Sequence, residues 1–304
     1  MAENDTADKP DAAGATDEKA DISGIDAEFC QKKLRQFTEQ KQKIKLKDFF
    51  TDEKLKALSP TALAMFKSLI DDGCSVERAL KFMALTMYYI VVLIDNSDSM
   101  AFEENDYTYA REKGIVAIRL LNHEKKAKVE KLMPMIKYDG ISMIGTQLEA
   151  KILKHYIYEP AKLEKPLLVV TITDGDGGKE DVLRKTLMAC VSEMQSGQKK
   201  SEMGGNAVAF YFARVGNNKK AADLIQRLDK DKDIGDWLDV FPDRLEEIND
   251  EATKWDVLAK LLLGVLYHDI DKQDENAAKD DGTADAPKVD QDSSTDDDDD
   301  FNLE

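Results

Sequence analysis

The chain has 304 residues and a formal net charge of −18, and this charge is concentrated at its two ends. Residues 1–28 carry about −7 and residues 269–304 about −12, while the span between them is close to neutral. Both ends are poor in large apolar residues, so we expect two disordered acidic tails, 1–28 and 271–304, whose charge argues against nucleic-acid binding.

The sequence shows no pattern typical of export, membrane insertion or a disulfide framework. Its start is polar and acidic, unlike a secretory or mitochondrial signal. Its longest apolar run is about thirteen residues, well short of the ~20 that span a bilayer. Cys30, Cys74 and Cys190 are widely spaced, which argues against a disulfide framework or a zinc site. We therefore expect a cytoplasmic protein without a signal peptide or a transmembrane segment.

The first folded part is predicted to be a small helical prefix, residues 29–86. Its basic beginning, 29–50, has a broken apolar stripe and leaves two interpretations open. It is either an amphipathic helix for an acidic partner or membrane surface, or an exposed charged helix or linker. The next helix is predicted to start with Ser59 as N-cap and Pro60 at its first position, and another to start at Ser75.

From residue 87 onward the pattern alternates between strands and helices. Strands are predicted in the segments 89–94, 114–122, 165–178, 206–216 and 237–242, and a long closing helix over 255–270. Such alternation is typical of βαβ units. The fold class is therefore predicted to be α/β, with a doubly wound, mostly parallel, Rossmann-like sheet over residues 87–270.

Two of these strands end in acidic and hydroxyl side chains. The uninterrupted apolar run 89–94 predicts a strand buried on both faces, and Asp-Asn-Ser-Asp-Ser follows it at 95–99. The segment 165–178 ends in Asp-Gly-Asp-Gly, and a third polar loop, 139–148, lies between the two in the chain. The carboxyl ends of neighbouring parallel strands meet at one edge, where α/β sheets bind ligands. The same residues are also ordinary turn formers.

Oxygen ligands without nitrogen or sulfur suit a hard cation, foremost Mg²⁺, with Mn²⁺ or Ca²⁺ as alternatives. The D-x-S-x-S of 95–99, the hydroxyl-bearing loop and the T-D-G of 173–175 together resemble the metal ion-dependent adhesion site (MIDAS) of the von Willebrand factor A (vWA) domain. The resemblance covers roughly residues 87–270 and points to intracellular vWA proteins of fungi and related eukaryotes.

The resemblance implies a role for each matching residue. Ser97 and Ser99 would bind the metal directly, and Asp95 and Asp174 would act mainly through metal-bound waters. The family's further ligand, usually a threonine, lies about six residues before the first buried Leu or Ile of the next helix. Counting back from Leu148 gives Ser142, and Thr146 is the alternative.

Two departures from the family pattern concern the rim of the site. Asp98 stands where the family often has glycine, and its carboxylate either strengthens cation binding or is a solvated loop charge. The connection 100–113 is shorter than the full helix that the family places there.

The function that the resemblance implies is metal-dependent protein binding without catalysis, in which a partner's Asp or Glu carboxylate reaches the ion. The alternatives are a scaffold with a vestigial metal site and a metal-dependent hydrolase or phosphoryl-transfer enzyme. Against an enzyme, the sequence has no phosphate-binding glycine motif, and His123, His155 and His268 accompany no nucleophile motif. The pattern leaves the oligomeric state open.

Overall fold

The computed structural model describes residues 22–40, 44–98, 100, 137, 139–159, 163–174, 180–196, 202–216, 218–245 and 254–267. Several predictions lie outside these ranges: most of the N-terminal tail, the whole C-terminal tail, Ser99, residues 101–113 of the connection and the strand at 114–122. The last residues of the predicted N-terminal tail are ordered, because the Asp26 carboxylate caps the first helix by accepting a hydrogen bond from Phe29 N (2.8 Å).

Four α-helices lie in the described part of the helical prefix. They are α1 (Ala27–Thr38), α2 (Ile44–Phe49), α3 (Asp52–Asp71) and α4 (Val76–Phe82), and a 3₁₀ turn, Met83–Met87, leads into the sheet.

The basic segment 29–50 packs into the hydrophobic core of the protein, which neither of its two interpretations predicted. Leu34 and Phe37 of α1 and Leu46 of α2 are buried in the hydrophobic core. The apolar positions of α1 recur at the helical spacing, so one face turns inward while Lys32 stays exposed. The apolar stripe therefore serves the protein's own core.

The start of α3 corrects the prediction that Ser59 is its N-cap. The helix begins at Asp52, where the Thr51 side chain accepts a hydrogen bond from Lys54 N (3.4 Å). Pro60 lies inside the helix, and the buried Ser59 donates from Oγ to Leu55 O (2.7 Å). Burial of one helix face against the core outweighs the hydrogen bond that proline cannot donate. The predicted helix start at Ser75 is confirmed, and Ser75 is the N-cap of α4.

Four parallel strands form the described sheet, in the order β1-β2-β3-β4. They are β1 (Tyr89–Ile94), β2 (Leu167–Thr173), β3 (Val208–Arg214) and β4 (Leu238–Arg244). The described helices after β1 are α5 (Ile144–Gln147, continuing with wider turns over Leu148–Tyr158), α6 (Glu180–Ser196), α7 (Lys219–Asp229) and α8 (Lys254–Leu263). The α/β class is confirmed.

Burial differs between the first two strands. All seven residues of β2 are buried, whereas all six residues of β1 are only half-buried. The prediction that β1 is buried on both faces is therefore wrong. β1 stands at the end of the described sheet, and its described neighbour lies on one side only.

The prefix and the sheet share one hydrophobic core. The ring of Phe37 in α1 lies 6.4 Å from that of Tyr88 and 5.1 Å from that of Tyr267, measured between centroids. The three cysteines are buried and free. Within the described ranges, no helix is both long and apolar enough to cross a membrane.

The closing helix is shorter than predicted. The α-helical part, α8, ends at Leu263, and a 3₁₀ turn follows over Gly264–Leu266. Gly264 packs directly on the Asp239 carboxylate of β4, so a side chain there would collide with it. This close approach of backbone to strand marks the point where the regular helix stops.

Candidate functional site

Five polar side chains are buried together at the carboxyl ends of β1 and β2. Asp95 and Ser97 follow β1, Thr173 and Asp174 end and follow β2, and Ser142 lies in the loop before α5. Each is at most 8% exposed. Buried polar groups are tolerated where they bond to one another or to a ligand. The three segments therefore form one polar cluster, as the βαβ order predicts.

The Asp95 carboxylate is the centre of this cluster. Its Oδ2 accepts hydrogen bonds from Ser142 Oγ (2.6 Å) and Thr173 Oγ1 (2.8 Å). Its Oδ1 accepts a third from Ser97 N (3.0 Å). The Asp95 carboxylate thus connects both strand ends and the loop before α5 by hydrogen bonds.

Strand register places these groups side by side. Ile94 of β1 is paired with Ile172 of β2, so the next residue along β1, Asp95, comes opposite Thr173. The Asp95 N–H donates to Ile172 O (2.8 Å), which extends the ladder one residue beyond the strand. The backbone of Asp95 is therefore fixed as firmly as that of the strand.

The loop that carries Ser142 is held by backbone pairing with the loop after β1. Asp98 N donates to Gly140 O (2.9 Å), and Asp139 N donates to Asn96 O (2.9 Å). Gly140 has φ +81, a left-handed conformation that favours glycine. The turn at Gly140 lets the chain reverse, so that Ser142 reaches Asp95.

The structure brings Ser142, and not Thr146, to the cluster. Ser142 is 5% exposed and bonded to Asp95, whereas Thr146 lies exposed on α5. Leu148, from which the six-residue spacing was counted, is fully buried. Ser99 lies in the part of the chain that is not described. That any of these residues binds a metal remains a prediction.

Thr173 is the member of the cluster to which the sequence alone assigned no role. Its hydroxyl is fully buried and donates to the central carboxylate. The position of Thr173 in the chain is the signal that could have indicated this role. As the last residue of β2, Thr173 lies opposite Asp95, the first residue after β1.

The donor chemistry of the cluster fits a hard cation. The side chains supply carboxylate and hydroxyl oxygens, the ligands that Mg²⁺ and Ca²⁺ prefer. Among the residues that the structure describes, no three His, Cys, Asp or Glu side chains form a metal-binding group by themselves. The described oxygen donors at this edge therefore include the serine hydroxyls as well as the carboxylates.

His155 does not contribute to the cluster. It is exposed, and its Nδ1 lies 3.1 Å from Oε2 of Glu159, the residue that follows the same helix. His123 and His268 are outside the described ranges.

Comparison with protein-family models, with curated proteins and with solved structures finds no match to this chain. The resemblance to the vWA domain therefore rests on the motif residues themselves, and membership of that family stays a prediction.

Proposed function

We propose that this chain is a doubly wound, vWA-type module that holds Mg²⁺ at its carboxyl edge and uses it to bind a protein partner. The ligand set would be Ser97, Ser142 and, from outside the described residues, Ser99, with Asp95 and Asp174 acting around them. The observation that carries the proposal is the convergence of both strand ends and the Ser142 loop on the Asp95 carboxylate.

Each described residue has a distinct task in this proposal. Ser97 and Ser142 would present hydroxyl oxygens to the ion, and Asp95 would orient Ser142 through its 2.6 Å hydrogen bond. Asp174, fully buried at the end of the neighbouring strand, would supply negative charge. Burial of two carboxylates at one edge is costly without a compensating positive charge. When bound, the cation would offer an electrophilic position to a carboxylate of the partner.

Binding is a better match than catalysis to the environment of Asp95. As a general base, Asp95 would need a free carboxylate oxygen close to a substrate. Its Oδ2 instead accepts two hydrogen bonds and its Oδ1 a third, all from the protein itself. This carboxylate therefore serves to position its neighbours.

Titration calorimetry with Mg²⁺ and Mn²⁺ tests the proposal, with Ser142→Ala and Thr146→Ala as a matched pair of hydroxyl deletions. Ser142→Ala should weaken metal binding by roughly tenfold or more, as the loss of an oxygen ligand requires, and Thr146→Ala should leave it unchanged. The reverse order would move the ligand to Thr146. A folded wild-type protein that binds neither ion would leave only the scaffold interpretation.

The partner is addressed by affinity purification in Mg²⁺ and in the presence of a chelator. Proteins retained only with Mg²⁺, and lost on Ser142→Ala, would support carboxylate capture. Turnover of a phosphate ester or amide substrate that is lost on Asp95→Ala would instead support the enzyme alternative.

A further inference from the structure

Three large apolar side chains are exposed in the described part of the chain: two flank Ser142 of the polar cluster, and the backbone of the third lies against Gly145. They are Ile141 (84% exposed), Met143 (45%) and Val182 (37%). Ile141 and Met143 flank the buried Ser142, so that the chain turns a hydroxyl inward and an apolar residue outward on each side of it. We call these three residues the apolar rim.

Close packing between α5 and α6 brings Val182 to the same edge. A Cβ added at Gly145 would lie 2.7 Å from Leu183 N and 3.0 Å from Val182 C, so glycine is needed for this contact. Gly145 follows Met143 by two residues. The start of α6 is therefore held against the segment that carries the other two rim residues.

Two exposed carboxylates lie beside the rim. Asp98 and Asp139 are both exposed, and the backbone of Asp98 is bonded to Gly140, the residue that precedes Ile141. A positively charged group of a partner would be favoured at this position.

Single exposed apolar residues are ordinary on protein surfaces, but a group of them around a polar cluster is typical of an interaction site. We propose that the apolar rim binds a protein segment in which a large aliphatic side chain stands next to an acidic residue, with a basic residue directed to Asp98 and Asp139. The acidic residue rests on the proposed function, since it is the group that would reach the cation. The aliphatic residue rests on the apolar rim, and the basic residue rests on the exposed carboxylates of Asp98 and Asp139.

Fluorescence anisotropy with labelled peptides tests this inference on the full chain in Mg²⁺. The first peptide has the core Lys-Leu-Asp-Leu, and its controls replace both leucines by serine or the aspartate by asparagine. Loss of two apolar contacts should weaken binding by about tenfold or more. Loss of the carboxylate should abolish the part of the binding that depends on Mg²⁺.

Substitutions in the protein complete the test. Ile141→Ser should weaken binding of the leucine peptide by about tenfold, leave binding of the serine peptide unchanged and leave Mg²⁺ affinity unchanged. Ile141→Leu keeps an apolar side chain and should retain binding. Because Ile141 is 84% exposed, neither change should disturb the fold.

The outcomes separate the inference from the proposed function. If the serine peptide binds within twofold of the leucine peptide, or if no peptide binds, the rim does not select aliphatic residues and the inference is wrong. A second outcome is that the leucine peptide binds equally well when its aspartate is replaced by asparagine and when Mg²⁺ is removed. If that binding is lost on Ile141→Ser, the rim is supported and carboxylate capture fails. If Ile141→Ser converts a dimer to a monomer in sedimentation, the occupant is a second copy and the proposed partner is wrong.

Discussion

β1 and β2 are adjacent, parallel and similarly apolar, yet they occupy different environments. Val91 pairs with Val169 and Val92 with Val170, so identical residues stand side by side in the register. All of β2 is buried and all of β1 is half-buried. An apolar run thus predicts a strand, but the elements that pack on its two faces determine how deeply its side chains are buried.

The two strands differ in burial, but the acidic residues that follow them do not. Asp95 after β1 and Asp174 after β2 are both buried, at 8% and 0% exposure. The site therefore depends on the point where the strands end and not on the burial of their sides. Four experiments test this contrast, from the largest expected effect to the smallest.

Asp95→Ala should give the largest effect, a loss of Mg²⁺ affinity of about 10–100-fold, because Ser142 and the Ser97 backbone lose the acceptor that orients them. The fold should survive, since Asp95 lies beyond the strand and the change removes one of two buried carboxylates. Titration calorimetry measures the affinity, and circular dichroism verifies the fold. Unchanged affinity in the folded variant would contradict the adhesion-site proposal.

Val170→Ala and Val92→Ala make the same change at paired positions of β2 and β1. We expect a loss of unfolding free energy of about 2 kcal/mol at Val170 and about 1 kcal/mol at Val92, because the first leaves a cavity in a fully buried strand. Urea unfolding of both variants measures the difference. Equal losses would show that β1 is buried as deeply in solution as β2.

Thr173→Val and Thr171→Val compare two buried hydroxyls on one strand. Thr173 Oγ1 donates to Asp95, whereas Thr171 Oγ1 is buried and makes no hydrogen bond within the described structure. Thr173→Val should cost about 1–2 kcal/mol, and Thr171→Val should be neutral or slightly stabilising. Thermal unfolding checks the sign of each change. A larger loss at Thr171 would reveal a partner that this structure does not contain.

The ion pairs of α6, the helix that follows β2, should contribute least. Hydrogen bonds from Arg184 lower the pKa of Asp231 from its ordinary value of 3.8. The stabilisation is therefore present above pH 3.8 and declines as the pH falls through the lowered pKa. The Arg184 side chain is 35% exposed and that of Asp231 15%, so solvent screens the pair in part and the effect stays small. Urea midpoints of wild type and Asp231→Asn should differ slightly at pH 7 and converge in acid.

The sequence by itself determined where the four described strands lie in the chain and the polar character of the ends of β1 and β2. Apolar, β-branched runs such as 165–173 that stop at Asp and Gly form strands wherever they fall in the chain, because side-chain alternation and turn chemistry are local. The family resemblance favoured Ser142 over Thr146 as a metal ligand; the structure places Ser142 in hydrogen-bond contact with Asp95, and its role as a ligand stays a prediction.

Only the tertiary structure decided the half-burial of β1, the burial of Leu34 and Phe37, the role of Thr173 and the exposure of Ile141. It also moved the start of α3 from Ser59 to Asp52. Each of these depends on an element that arrives from a distant part of the chain. Local periodicity reports which face of a helix or strand is apolar, whereas the free energy of burying that face is set by what packs against it.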